Sequence, residues 1–505
     1  MSDLKMNTVL KIFAFCILAG TAIFGYNFYR EQFPEDADFS QNEHFSLQLN
    51  PATLQNRLTE TPDFPFSAVT DNNYIGWEKF PVFHLPSQFK FVFHGARMEN
   101  DNLDQILSRG FTHVDISRMS DQEKVKSKVS QRAIMMGANY FTQFNAMFSN
   151  APLGVMDPFA ETDQKFQNYV AQLQGICFNH YHDCAEGSVM RATVDLFVWD
   201  LENVLYKPEK KYLAPNSPGR NIPDDKFDIA YFNEMAKKYR LLVETTKQNV
   251  VAGAKVGTYN PGCPIEMGNF NLENYKNPSS KMWMWDWPAG SDKKNYRDFV
   301  DFQTPGGYFL TNNLENRDGI YQIMADQEVN AHWSSIPRIP VEWMFTTNLP
   351  NAPVPPKLAE ATSIFTVMSG AQGAWFWDEV FKMTKNQSTL QNPRQRNYAC
   401  YEYYIAGLYR LSKHNDFLQT NYQAVIPEVS FDGGKSFSQL NAAELRQKSL
   451  PLVRALVSKG RILLAAQNPK ATGADQKVTL VVKYGNWKDV ITLKGENVYL
   501  GEARM

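Results

Sequence analysis

The feature that most constrains this chain is a repeated alternation. From about residue 89, short apolar or aromatic runs alternate with longer stretches whose apolar residues recur at helical spacing. Strands are expected at 90–96, 111–117, 138–146, 192–202, 250–259, 307–311, 336–345 and 373–378. Helices are expected at 225–248, 320–333, 357–368 and 398–411, with Ser120 and Glu123 forming a capping box that opens another. Eight strands, each followed by a helix, predict an α/β chain folded as a (β/α)₈ barrel. The rival is a doubly wound open sheet, which needs a Gly-rich phosphate turn after its first strand, and none is present. The glycines at Gly253 and Gly257 fall on an expected strand, where they permit close packing.

Beyond about residue 415 the period shortens. Runs at 461–467, 477–483, 489–494 and 497–501 read as strands separated by turns, predicting a small C-terminal antiparallel β-sandwich. At the other end, Lys5 and Lys11 precede the apolar stretch 12–26, which is shorter than the ~20 residues that span a bilayer. It reads as a signal peptide with a small-residue site at Gly20-Thr21-Ala22, or as an uncleaved signal anchor. The expected organisation is therefore 1–30 signal peptide or anchor, 31–88 linker and lead-in strands, 89–414 barrel, and 415–505 sandwich. The bulk of the chain is expected outside the cytoplasm, touching a membrane only through residues 1–30. In such a compartment Cys177 and Cys184, bracketing a short segment, are disulfide candidates, and their spacing matches no common zinc pattern.

A net charge of −2 gives no electrostatic reason to expect a nucleic-acid partner. No Ser elbow, Walker loop or HExxH motif occurs, so neither cofactor nor metal is expected. The abundant aromatics, 10 Trp, 23 Tyr and 35 Phe, serve either a bulky core or stacking against sugar rings.

A barrel of this type places its chemistry at the C-terminal strand ends. The fourth expected strand ends Val198-Trp199-Asp200-Leu201-Glu202, and alternation sets Asp200 and Glu202 on one side with Val194, Leu196 and Val198 below them. Two carboxylates that close cannot ionise independently; one keeps its proton and can donate it to a leaving oxygen. Trp283, Trp285 and Trp287, at alternate positions beside Pro288, read as a sugar-stacking wall or a packed lid. Tyr259, Asn260, His94, Arg97, Asn145, Asn312 and Asp378 stand at other strand ends as further substrate contacts.

Asp195, Asp200 and Glu202 resemble the D-x-x-D-x-D-x-E strand of chitinase-type hydrolases, with Val198 in place of the second Asp. Hyaluronidases are similar barrels, and the stretches at 340–347 and 371–378 look like their last two strands. This resemblance implies a carbohydrate substrate and substrate-assisted hydrolysis. In it the substrate's acetamido group attacks the anomeric carbon, Asp200 orients that group, and Glu202 is acid and then base. It also implies a tryptophan floor on the last strand, from Trp375 or Trp377. The larger barrel-glycosidase clans imply double displacement instead, with Glu342 as nucleophile. Those clans carry Asn directly before the strand-four acid, where this chain has Leu201.

Overall fold

The computed structural model describes residues 57–66, 75–95, 103–115, 130–137, 157–160, 162–168, 170–171, 194–200, 209–250, 253–259, 294–310, 314–346, 353–378 and 399–505. After a short strand β1 (Thr59–Glu60) come β2 (Lys90–Gly95), β3 (His113–Asp115), β4 (Arg132–Gly137), β5 (Leu196–Asp200) and β6 (Lys255–Tyr259). They continue as β7 (Phe302–Thr304), β8 (Gly306–Phe309), β9 (Val341–Thr346) and β10 (Gly373–Asp378). From β2 to β10 all pairings are parallel, in the order β7-β6-β5-β4-β3-β2-β10-β9-β8.

Only Pro305 separates β7 from β8, and the two are halves of one stave. The first half pairs with β6 and the second with β9. Backbone bonds from Ile339 N to Gln303 O and from Val341 N to Pro305 O, both 2.9 Å, carry the pairing across the break. The sheet thus closes on itself as an eight-stave parallel barrel, a TIM barrel.

Two staves begin five residues later than the sequence predicts, at Lys255 and Val341, and two more depart from the expectation. The third lies at Arg132–Gly137, ahead of the expected 138–146, which falls outside the described residues. Its place is fixed by neighbours: Ala133 pairs with both Asp115 and Leu196, and Gly137 with Asp200. The sixth begins at Phe302, five residues before the expected 307, because Pro305 offers its carbonyl to the ladder although it has no N–H to give.

The helices Asp224–Thr245, Gly319–Trp333, Pro356–Met368 and Ala399–Ser412 clothe the staves and match the expected helices within a few residues. The capping box at Ser120 lies outside the described residues.

The C-terminal strands form a sandwich. One sheet runs β1-β17-β14-β13-β11, from β11 (Gln423–Val425), β13 (Leu452–Ser458), β14 (Arg461–Gln467) and β17 (Tyr499–Arg504). The other runs β12-β15-β16, from β12 (Glu428–Ser430), β15 (Lys477–Tyr484) and β16 (Trp487–Lys494). Strand β14 shows why its sequence is apolar at nearly every position: Ile462 and Leu464 face the sandwich core, while Leu463 and Ala465 join the barrel's core. A lead-in strand, β1, completes the C-terminal sheet against β17.

Candidate functional site

Strand parity decides which side chains enter the barrel. On β5 the Trp199 indole donates to Thr246 Oγ1 at 2.9 Å, beyond the helix Asp224–Thr245, so Phe197 and Trp199 face outward. Leu196, Val198 and Asp200 therefore face inward, and Asp200 is half-buried at the C-terminal mouth. This is the side expected of it. Its register partners are Gly137 on β4 and Tyr259 on β6, so it lies between a residue without a side chain and an aromatic ring.

A second polar group lies on β2 and β3. His94 Nδ1 and Asp115 Oδ2 are 2.5 Å apart, and Trp375 Nε1 donates to the same carboxylate oxygen at 3.0 Å. A carboxylate only accepts, so Nδ1 carries the imidazole proton. His94 is 2% and Asp115 1% exposed, and the imidazole stacks on Trp377 with centroids 3.8 Å apart and planes 8° from parallel. The outward positions beside them are apolar: Phe93 meets Phe111 at 5.1 Å, and Phe376 meets Tyr404 at 4.5 Å.

Aromatic rings continue around the mouth. Tyr259 on β6 lies 6.0 Å from Tyr308 on β8, which lies 6.2 Å from Trp343 on β9. With Trp377 these rings form an aromatic wall inside the mouth, with Tyr259, Trp343 and Trp377 each less than a tenth exposed. Among the described residues, no group of three or more His, Cys, Asp or Glu is placed to hold a metal ion.

Three expected roles change. Glu342 turns away from the barrel interior: its carboxylate accepts from Thr366 Oγ1 and, at 2.6 Å, from the Tyr404 hydroxyl, both on the helical layer. Position 342 has the outward parity of β9, since Trp343 faces in. Glu342 is therefore a structural acid and cannot serve as the nucleophile the clan resemblance implied. Burial raises its pKa to about 7, while the bonds from Thr366 and Tyr404 oppose that rise.

Trp375 is wholly buried, with its N–H committed to Asp115, so it supports that carboxylate and offers no face to a substrate. Asp195 belongs to the opposite end of the barrel. It is bonded to His113 Nε2 at 2.8 Å and Lys90 Nζ at 3.0 Å, at the N-terminal ends of three strands. The His113 bond above all, with Lys90, holds its carboxyl well below the usual carboxylate range, against the desolvation that opposes this. Burial in turn lowers His113. Five residues of strand, about 16 Å, separate Asp195 from the mouth.

Glu202, Arg97, Asn145, Asn260, Trp283, Trp285, Trp287, Asn312, Cys177 and Cys184 lie outside the described residues, as does the side chain of Asp378. Three mouth residues escaped the sequence reading: Asp115, Tyr308 and Trp343. Asp115 had a legible signal, a lone acid closing the short strand His113-Val114-Asp115. Tyr308 and Trp343 had none, because aromatic residues on a buried strand look alike whichever way they point.

No family model matches the sequence, and no curated protein matches it significantly. Similar solved structures include a glycoside hydrolase family 30 subfamily 8 xylanase from Clostridium acetobutylicum, 12% identical over 84% of this chain and 97% of that one, TM-score 0.37. Bee venom hyaluronidase with a hyaluronic acid tetramer is 14% identical over 61% and 98%, TM-score 0.37. An alpha-amylase from Geobacillus thermoleovorans is 9% identical over 83% and 99%, TM-score 0.40. At such low identity and TM-score, the barrel assignment rests on this chain's own strand pairing.

Proposed function

We propose that the chain is an exported glycoside hydrolase whose active centre is the barrel mouth at Asp200. The observation that carries this reading is the inward Asp200 at the C-terminal end of β5, within an aromatic-walled mouth. Glu202, two residues further on in the sequence, is its partner acid. The outward turn of Glu342 favours the substrate-assisted route, since it removes that residue as a protein nucleophile.

In this mechanism the Glu202 carboxylic acid gives its proton to the glycosidic oxygen as the bond to the anomeric carbon breaks. The acetamido oxygen of the same sugar forms a bond to that carbon, and Asp200 steadies the positive charge on the resulting ring. Water then attacks the anomeric carbon, Glu202 takes its proton, and the acetamido group is released with retained configuration. Residues 1–30 serve as the export signal, which fractionation and N-terminal sequencing of the mature chain would check.

The test is product release from acetamido-containing and plain polysaccharides. Turnover confined to acetamido substrates, and reduced roughly 10²–10⁴-fold in both Glu202→Gln and Asp200→Asn, is expected. Turnover of plain glycans untouched by Asp200→Asn would remove the substrate-assisted scheme. Glycan binding without turnover in the wild type would make the barrel a binding protein.

A further inference from the structure

His94, Trp377 and Trp343 stand on three adjacent strands, and they are register partners: His94 lies opposite Trp377, and Trp377 opposite Trp343. All three face the barrel interior as one row. They are 2%, 9% and 8% exposed. Two nitrogens in this row, His94 Nε2 and Trp343 Nε1, are buried and have no hydrogen-bond partner among the described residues. Buried polar atoms are nearly always paired, because an unpaired one keeps the whole cost of leaving water. Two in one row, with Trp377 between them, mark a place where something else supplies the partners.

The chemistry of the two atoms differs in a defined way. Asp115 accepts from the Nδ1–H of His94, so in the neutral imidazole Nε2 presents a lone pair and accepts. An indole nitrogen only donates. Between acceptor and donor lies the apolar Trp377 ring, one face of which the imidazole already covers. An acceptor and a donor flanking an apolar surface complement a sugar ring, which carries hydroxyls at its rim and C–H groups on its faces.

We propose that His94 and Trp343 form a sugar subsite, in which Nε2 accepts from one substrate hydroxyl and the Trp343 N–H donates to another oxygen. This rests on the reading of the mouth as a carbohydrate site and assigns to it two specificity residues that the sequence did not single out as a pair. Asp115 acts through His94 as a positioning residue, fixing the tautomer that makes Nε2 an acceptor.

The experiment uses the full chain and whichever oligosaccharide the wild type turns over best. Trp343→Phe keeps an aromatic ring and removes the N–H donor together with the five-membered ring that carries it. It is expected to raise KM roughly tenfold while kcat stays within about threefold. Its Tm should fall modestly, because the smaller ring leaves a cavity. A purely structural tryptophan would show the same fall in Tm with an unchanged KM. His94→Phe keeps a stacking ring and should raise KM similarly; should it fail to fold, Trp343→Phe decides. Wild-type turnover with an unaltered KM in Trp343→Phe overturns the subsite and leaves the hydrolase reading standing. No binding or turnover of any glycan by the wild type removes both.

Discussion

The Tyr404 hydroxyl donates to Glu342 Oε2 at 2.6 Å, joining a barrel stave to the last barrel helix through an acid wholly shielded from water. The carboxyl faces the helical layer because β9 presents alternate residues to opposite sides, and the inward positions belong to Val341, Trp343 and Phe345. A glutamate at the second position of a late barrel strand is thus part of the packing between layers.

This arrangement makes stability depend on pH. The folded-state pKa of Glu342 is raised to about 7 from 4.5, so the folded protein holds this proton more tightly than the unfolded chain. Its stabilising effect is complete below pH 4.5 and is lost as pH rises through about 7, a total of about 3 kcal/mol. Glu342→Gln removes that dependence. Urea unfolding between pH 5 and 8 should show the wild type losing stability relative to the variant. Parallel stability profiles would mean that Glu342 ionises as freely folded as unfolded.

Asp115 accepts from His94 and from Trp375 at one oxygen, and both donors are buried. Asp115→Ala leaves two buried N–H groups unpaired, each costing about 1–3 kcal/mol. Asp115→Asn retains an acceptor and should cost clearly less. Thermal or urea unfolding of the two variants checks this; equal losses would show that the carboxylate is not the common partner.

Arg410 ties three parts of the chain together. Its guanidinium bonds Glu360 at 2.6 Å on the neighbouring helix, Thr61 O at 2.8 Å in the lead-in segment, and Val498 O at 2.9 Å in the sandwich. Arg410 and the Glu360 side chain are 1% and 2% exposed, so Arg410→Met should cost about 3–5 kcal/mol by leaving the acid short of its closest partner. Limited proteolysis should then cut near the junction of barrel and sandwich sooner than in the wild type. Resistance equal to the wild type's would argue that this pair does not join the domains.

Gly407 lets the helices Pro356–Met368 and Ala399–Ser412 approach closely. A Cβ there would lie against Ser363 Oγ and 2.8 Å from Glu360 O. Gly407→Ala should destabilise by about 1–3 kcal/mol despite the helix-favouring nature of alanine. A Tm at or above that of the wild type would show that the helices separate freely.

The sequence by itself determined the barrel, the sandwich and the side of β5 that Asp200 occupies, because periods of two and 3.6 residues reflect local backbone geometry. The helices Gly319–Trp333 and Pro356–Met368 and the strand Gly373–Asp378 lay where periodicity put them. Tertiary structure alone decided what periodicity leaves open. A strand buried on both faces gives no sign of which residue looks inward, so the clan resemblance put Glu342 in the site and nothing singled out Trp343. Neighbouring staves set the register of Arg132–Gly137, and the partner strand's need for a carbonyl carried the ladder across Pro305. The pairing of His94 with Asp115 needed two strands side by side, and parallel neighbours meet only through a crossover. Proximity across a fold is set by packing, and packing is a property of all the strands together.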